Sequence, residues 1–187
     1  MKDIPDLTAV RGNHDQMYLD AFSDPVLTEQ FVQKYSSSYR DKKEAVRDYL
    51  DRLPTQIRLQ HGGTEILLQH GTPKDPLEGR IYPDMELPVE GDDHQRVILS
   101  GHTHYQMVRT RGSTCWLNPG SLGQPRDGKG FSYGVLSLSG EGKKPEICCR
   151  IVKPDLTNLE RQIRERDPDH SYLWEVLHRK QIRDEEF

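Results

Sequence analysis

The sequence predicts a mixed α/β fold, and three observations carry that prediction. Short aliphatic runs of strand length, such as Ile66-Leu67-Leu68 and Val97-Ile98-Leu99, stand between glycines and polar residues. Other stretches place apolar residues at helical spacing, as Val26, Leu27, Phe31, Val32 and Tyr35 do. Three aliphatic runs then stop at groups that bind metals or move protons. Leu7-Thr8-Ala9-Val10 leads into Arg11-Gly12-Asn13-His14-Asp15, Leu67-Leu68 into Gln69-His70-Gly71, and Val97-Ile98-Leu99-Ser100 into Gly101-His102-Thr103-His104. Open α/β sheets bind their ligands at such strand exits.

In chain order, Leu7–Val10 reads as a short buried strand and Arg11–Asp15 as the turn that ends it. Asp24-Pro25 starts a helix well, with a capping carboxylate and a proline in the first turn. Ser36-Ser37-Ser38 breaks it, and Ala45, Val46, Tyr49, Leu50 and Leu53 mark a second helix that Pro54 ends. Residues 18–53 therefore read as a helical cap or insertion beside a site. Gln56–Gln60 and Thr64–Leu68 form a hairpin around Gly62-Gly63. Lys74–Gln95 is rich in Pro, Gly, Asp and Glu and reads as a long loop, where Arg80 and Tyr82 can reach a substrate. Arg96–Leu99 is a strand. Met107–Thr110 and Thr114–Leu117 make a second hairpin, and Asn118–Arg126 an irregular loop. Phe131–Leu138 and Ile147–Val152 are alternating strands. Leu156–Ile163 and Tyr172–Ile182 are helices of a C-terminal segment, 153–187, which can dock on the sheet or on a second copy of the chain.

Composition narrows the function classes. At 187 residues the chain has the length of a single domain, 1–187, with a very polar surface: 33% hydrophobic, 30% charged, net charge −4. No Lys/Arg stripe marks a nucleic-acid footprint. No apolar run is long enough to span a bilayer, and Met1–Asp6 has no signal-peptide core. Three cysteines, two of them adjacent, make no disulfide framework. A cytoplasmic protein is expected. A small anionic substrate is still compatible with the net charge if metal ions supply the positive counterpart.

The strand exits suggest how. Residues two apart in extended chain point to one side, so His102 and His104 can aim both imidazoles at one place. Imidazoles suit Zn, Mn, Fe, Co or Ni. Asn13 offers a neutral amide oxygen and His14 a proton. Each signal has a plainer alternative: a His-x-His pair is common, and Asn13 and Asp15 can serve only to bond their own backbone in a turn.

Taken together, Gly-Asn-His-Asp, His-Gly, Gly-His-Thr-His and Asn-Pro-Gly-Ser-Leu-Gly-Gln-Pro-Arg, in this order, resemble the calcineurin-like metallophosphoesterases. The small bacterial phosphodiesterase branch is the nearest in look, and the resemblance covers Leu7 to about Val152. It implies a two-sheet mixed β-sandwich flanked by helices, with two divalent metal ions at the strand ends. It implies that Asn13, His70 and His102 ligate the second metal and His104 the first. It also implies that His14 stabilises or protonates the leaving oxygen, with Asp15 orienting it. Such a metal pair activates water for in-line attack on phosphorus and offsets the charge that develops. Arg126 and Arg11 are candidates for a phosphate contact, with surface ion pairing as the alternative.

One departure qualifies the expectation. Family members open with Asp-x-His and Gly-Asp, which supply further ligands and the carboxylate that bridges both metals. Neither motif stands in these residues, so an N-terminally truncated, incomplete dinuclear site is expected, together with weak stability of the isolated chain. The leading reading is hydrolysis of a phosphomonoester or phosphodiester. The alternatives are a catalytically inactive scaffold of the same fold and a mononuclear metal-binding protein built on Asn13, His70 and His102.

Overall fold

The computed structural model describes residues 6–88, 94–140, 143–168 and 171–178. Five strands form the main sheet, in the order β1 (Gln56–His61), β2 (Thr64–Gln69), β3 (Arg96–Leu99), β5 (Thr114–Pro119), β4 (Gln106–Arg111). The outer pairs, β1/β2 and β4/β5, are antiparallel hairpins, while β2, β3 and β5 run parallel. The hairpins are local in origin. Gly62 and Gly63 both take positive φ (53° and 82°), as the two-residue turn between β1 and β2 requires.

The three parallel strands therefore end side by side at one edge. Their lateral hydrogen bonds continue past the strand ends: Ser100 N–H donates to Leu117 O (2.9 Å) and Gly101 N–H to His70 O (2.8 Å). On one side of this sheet Leu67, Ile98, Met107 and Trp116 pack with Ile81 and Leu87 from the long loop after β2. Trp116, Val97 and Ile98 are wholly excluded from solvent.

A second sheet holds β6 (Phe131–Ser137) and β7 (Glu146–Val152), paired antiparallel. It meets the first at β5, where Ser132 Oγ donates to Pro119 O. A Cβ on Gly134 would lie 3.1 Å from Leu117 Cδ2, so the absent side chain lets the layers touch. This is the mixed, two-sheet arrangement flanked by helices that the family resemblance implies.

The helices carry a small core of their own. α1 (Asn13–Phe22), α2 (Pro25–Lys34), a 3-10 turn (Ser37–Arg40) and α3 (Glu44–Asp51) gather Ala21, Val32 and Tyr39 against Met17, Tyr18, Leu27, Phe31 and Tyr35. Asp24 caps α2, its carboxylate accepting from Val26 and Leu27 N–H. α4 (Thr157–Arg166) and α5 (Ser171–Leu177) follow β7. Asp167, almost fully buried, accepts from Ser37 N–H (3.0 Å), tying the end of α4 to the 3-10 turn. The expected continuation of α5 to Ile182 lies outside the described residues. Among the described residues no helix is long and apolar enough to cross a membrane.

Two local expectations fail. Leu7–Val10 is neither a strand nor a core segment: Leu7 is 45% exposed, and these residues join no sheet among the described residues. A β-branched run becomes a strand only with a neighbour to bond. Here the neighbouring backbone tie comes just beyond it, from Arg11 N–H to Pro54 O at 2.8 Å. The expected turn at Arg11–Asp15 is instead the start of α1. Gly12 is extended (φ −98°, ψ 171°), and the Asp15 carboxylate accepts its N–H at 2.8 Å, satisfying a donor at the helix start.

Candidate metal centre

Three donors converge at the edge where β2 and β3 end and α1 begins. His70 Nε2 lies 2.9 Å from Asn13 Oδ1 and 3.0 Å from His102 Nδ1. Sequence positions 13, 70 and 102 thus reach one point. Gly12 makes room, since a Cβ there would stand 3.2 Å from His70 Nδ1. Asn118, at the end of β5 and 1% exposed, braces the histidine turn: its amide donates to Gly101 O (2.6 Å) and Thr103 Oγ1 (3.0 Å). It shapes the turn and is not among the gathered donors.

His102 and His104 do not lie in extended chain. Both take left-handed backbone (φ 59° and 63°), a conformation that costs a side-chain-bearing residue ~1–2 kcal/mol. The extended-chain expectation, with both rings side by side, is therefore overturned. His102 turns Nδ1 to His70, whereas His104 bonds through Nδ1 to Gln124 O at 2.8 Å. His104 stands close enough to the cluster to influence His70 electrostatically, but it is not one of the converging donors. Such strain persists only where surrounding structure enforces it, here through Asn118 and Gln124.

The imidazoles are held neutral. Burial first, and then the neighbouring histidines, lower the His70 pKa to about 4. Burial and the Arg126 guanidinium lower His104 to about 4. Burial and Arg80 lower His102, against an opposing pull from Glu78. His14 stands at the exposed rim, yet its ring is edge-on to Tyr35 (5.1 Å) and against Tyr39, and this local desolvation lowers its pKa too. Neutral imidazole is the form that ligates a cation.

His14 is not oriented as expected. The Asp15 carboxylate is engaged at Gly12 N–H. The partner of His14 Nδ1 is Tyr39 OH, 3.2 Å away, a phenol whose pKa burial pushes up to about 12. Arg11 is also placed elsewhere: its guanidinium donates to Leu50 O and Asp51 O at the end of α3 and to Gln16, which leaves Arg126 as the phosphate candidate. Arg126 is exposed, and its charge reaches His14, His102 and His104. Glu78 and Tyr39 had no motif to mark them; only the folded chain brings them to the cluster.

Does a divalent cation fit? Asn13 Oδ1, His70 Nε2 and His102 Nδ1 are all lone-pair positions in the tautomers that ligate. The two spacings from His70 Nε2, 2.9 and 3.0 Å, are what donors at right angles on an octahedral shell of ~2.1 Å require. They fit one cation. Among the described residues, no three His, Cys, Asp or Glu side chains gather closely enough to hold a metal; the gathered set is two imidazoles and an amide oxygen.

Comparison with known proteins gives the family. A family model described as the calcineurin-like phosphoesterase superfamily domain matches residues 1–141. The chain belongs to that superfamily. Its members are phosphoesterases, hence hydrolases, and generally use divalent metals. Among solved structures, a hypothetical protein from Pyrococcus horikoshii OT3 is similar over 94% of this chain and 74% of its own, with TM-score 0.68 and 20% identity. A metallophosphoesterase from Sphaerobacter thermophilus is similar over 90% and 74%, with TM-score 0.57 and 22% identity. At these identities the likeness is one of fold. No curated protein matches the chain.

Proposed function

We propose that this protein is a divalent-metal-dependent phosphoesterase acting on a small phosphomonoester or phosphodiester. The observation that carries the proposal is the meeting of Asn13 Oδ1 and His102 Nδ1 at His70 Nε2, 2.9 and 3.0 Å from it, at the sheet edge. In this reading those three hold one cation, and His104, whose Nδ1 is anchored to Gln124 O, offers its other nitrogen to a second. The metals, when bound, supply Lewis-acid stabilisation of the phosphoryl oxygens and an activated water.

The chain's own groups do the rest. When Tyr39 donates to His14 Nδ1, the neutral imidazole carries its proton on Nε2, from which it can stabilise a leaving oxygen by a hydrogen bond. Arg126 and Arg80 add positive charge beside the histidines, which favours an anionic substrate even on a chain of net charge −4. Asn118 and the Gly101–His104 turn keep the donors in place.

The test is metal content together with turnover of an aryl phosphate in Mn(II)-containing buffer, for wild type and His102→Ala. Turnover that His102→Ala abolishes supports the enzyme. One tightly bound metal without turnover supports a binding protein, and no metal at all supports a scaffold of the same fold.

A further inference from the structure

His102 has a second ring nitrogen, and its surroundings are unusual. The residue is 9% exposed, and Nε2 is buried with no hydrogen-bond partner. The carboxylate of Glu78 stands 3.8 Å from that nitrogen. The same Glu78 oxygen lies 3.6 Å from the Arg80 guanidinium.

Glu78 is placed there by a tight turn. After His70 the chain doubles back: Gly71 N–H donates to Pro76 O (2.6 Å), Thr72 N–H to Asp75 O (2.8 Å), and Gly79 N–H to Asp75 O (3.1 Å). Glu78 N–H itself donates to the Asp75 carboxylate at 3.0 Å. A Cβ on Gly71 would meet Asp75 O at 2.3 Å, and one on Gly79 would meet Thr72 Oγ1 at 2.2 Å. Only glycine at both positions lets the turn close, and closure carries residue 78 back over the histidines.

The chemistry of the donor set says what this serves. When His102 Nδ1 faces a cation, the ring proton must sit on Nε2. A buried N–H without an acceptor costs ~1–3 kcal/mol. The three converging donors are neutral, so a dication arriving there meets no negative ligand among them. A carboxylate one imidazole away fixes the tautomer, makes Nδ1 a stronger donor and returns part of the missing charge.

We propose that Glu78 is a positioning residue for the metal centre: its carboxylate, 3.8 Å from His102 Nε2, holds the ring proton on that nitrogen electrostatically and thereby strengthens divalent-cation binding by Asn13, His70 and His102. The inference rests on the metal-dependent reading above.

The experiment uses Mn(II) titration followed by electron paramagnetic resonance, together with 15N spectra of the histidine rings in metal-free protein. His102→Gln identifies the His102 signals. Glu78→Ala is expected to weaken Mn(II) binding roughly 10- to 100-fold. It should also move His102 from the Nε2–H tautomer toward a mixture. Glu78→Gln, which keeps an acceptor oxygen, should lie between. Unchanged affinity with an unchanged tautomer overturns the proposal. Weakened affinity with an unchanged tautomer also overturns it, because the carboxylate would then act on the cation directly. If the wild type binds no Mn(II), the metal-dependent reading fails, and the tautomer comparison alone decides the role of Glu78.

Discussion

Acidification of the metal-free protein gives a quantitative check on the buried histidines. His70 and His104 take up protons near pH 4 in the folded chain and near 6.5 when unfolded. Between those values the unfolded state binds more protons, so stability is full above pH 6.5 and is lost as pH falls toward 4. Each imidazole contributes a slope of up to ~1.36 kcal/mol per pH unit. Over this window that amounts to ~3 kcal/mol for the first imidazole. The second contributes less, because one charge in the cluster admits water to the other. His178 works in the opposite direction: its pKa is raised by Trp174 O and Glu160, so its small surface contribution fades as pH rises. The assay is urea unfolding in chelator, followed by Trp116 fluorescence, at several pH values from 7.5 to roughly 4. His104→Gln should reduce the slope by up to one proton. A stability that is flat across this window, or that increases on acidification, refutes the reasoning.

Four further outcomes are expected. Gly79→Ala forces a Cβ to within 2.2 Å of Thr72 Oγ1 and 2.6 Å of Asp75 O, so it should cost ~1–3 kcal/mol in urea unfolding and weaken Mn(II) binding by displacing Glu78. Trp116→Ala should destabilise by ~3–5 kcal/mol. Trp116→Phe should cost much less, since it also removes a buried indole N–H that has no partner; calorimetric melting of the pair separates volume from polarity. Asp24→Ala removes the cap of α2 and should cost ~1 kcal/mol, read as a lower urea midpoint. Tyr39→Phe leaves His14 Nδ1 without its 3.2 Å partner and should lower aryl-phosphate turnover several-fold while Mn(II) affinity stays unchanged.

Much of the fold was legible because its signals are local. Gly62-Gly63, Asp24-Pro25 and the alternation at Phe131 each fix a turn, a cap or a strand within a few residues, and the structure keeps them. Leu7–Val10 was misread because a strand is a property of a pair. The start of α1 was missed because Gly-Asn-His-Asp reads equally well as a turn; a capping carboxylate three residues after Gly12 was the available clue. At the candidate site, positions 13, 70 and 102 could be singled out as strand-exit donors. The left-handed backbone at His102 and His104 could not, since it follows from Asn118 and Gln124 bonding across the fold. Tyr39 and Glu78 reach the cluster from the helical segment and from a closed turn, and no spacing rule connects them to a histidine.

The lateral bonds beyond the strand ends have an evolutionary consequence. Because Gly101 and Ser100 are stitched directly to His70 and Leu117, the donor-bearing segments hold one another without help from most of the chain between them. Exposed positions of the long loop such as Asp84 can therefore be rewritten at little cost to the cluster, whereas Ile81 and Leu87 are held by the core. Descendants of such a scaffold can vary that exposed rim while inheriting the same cluster of donors.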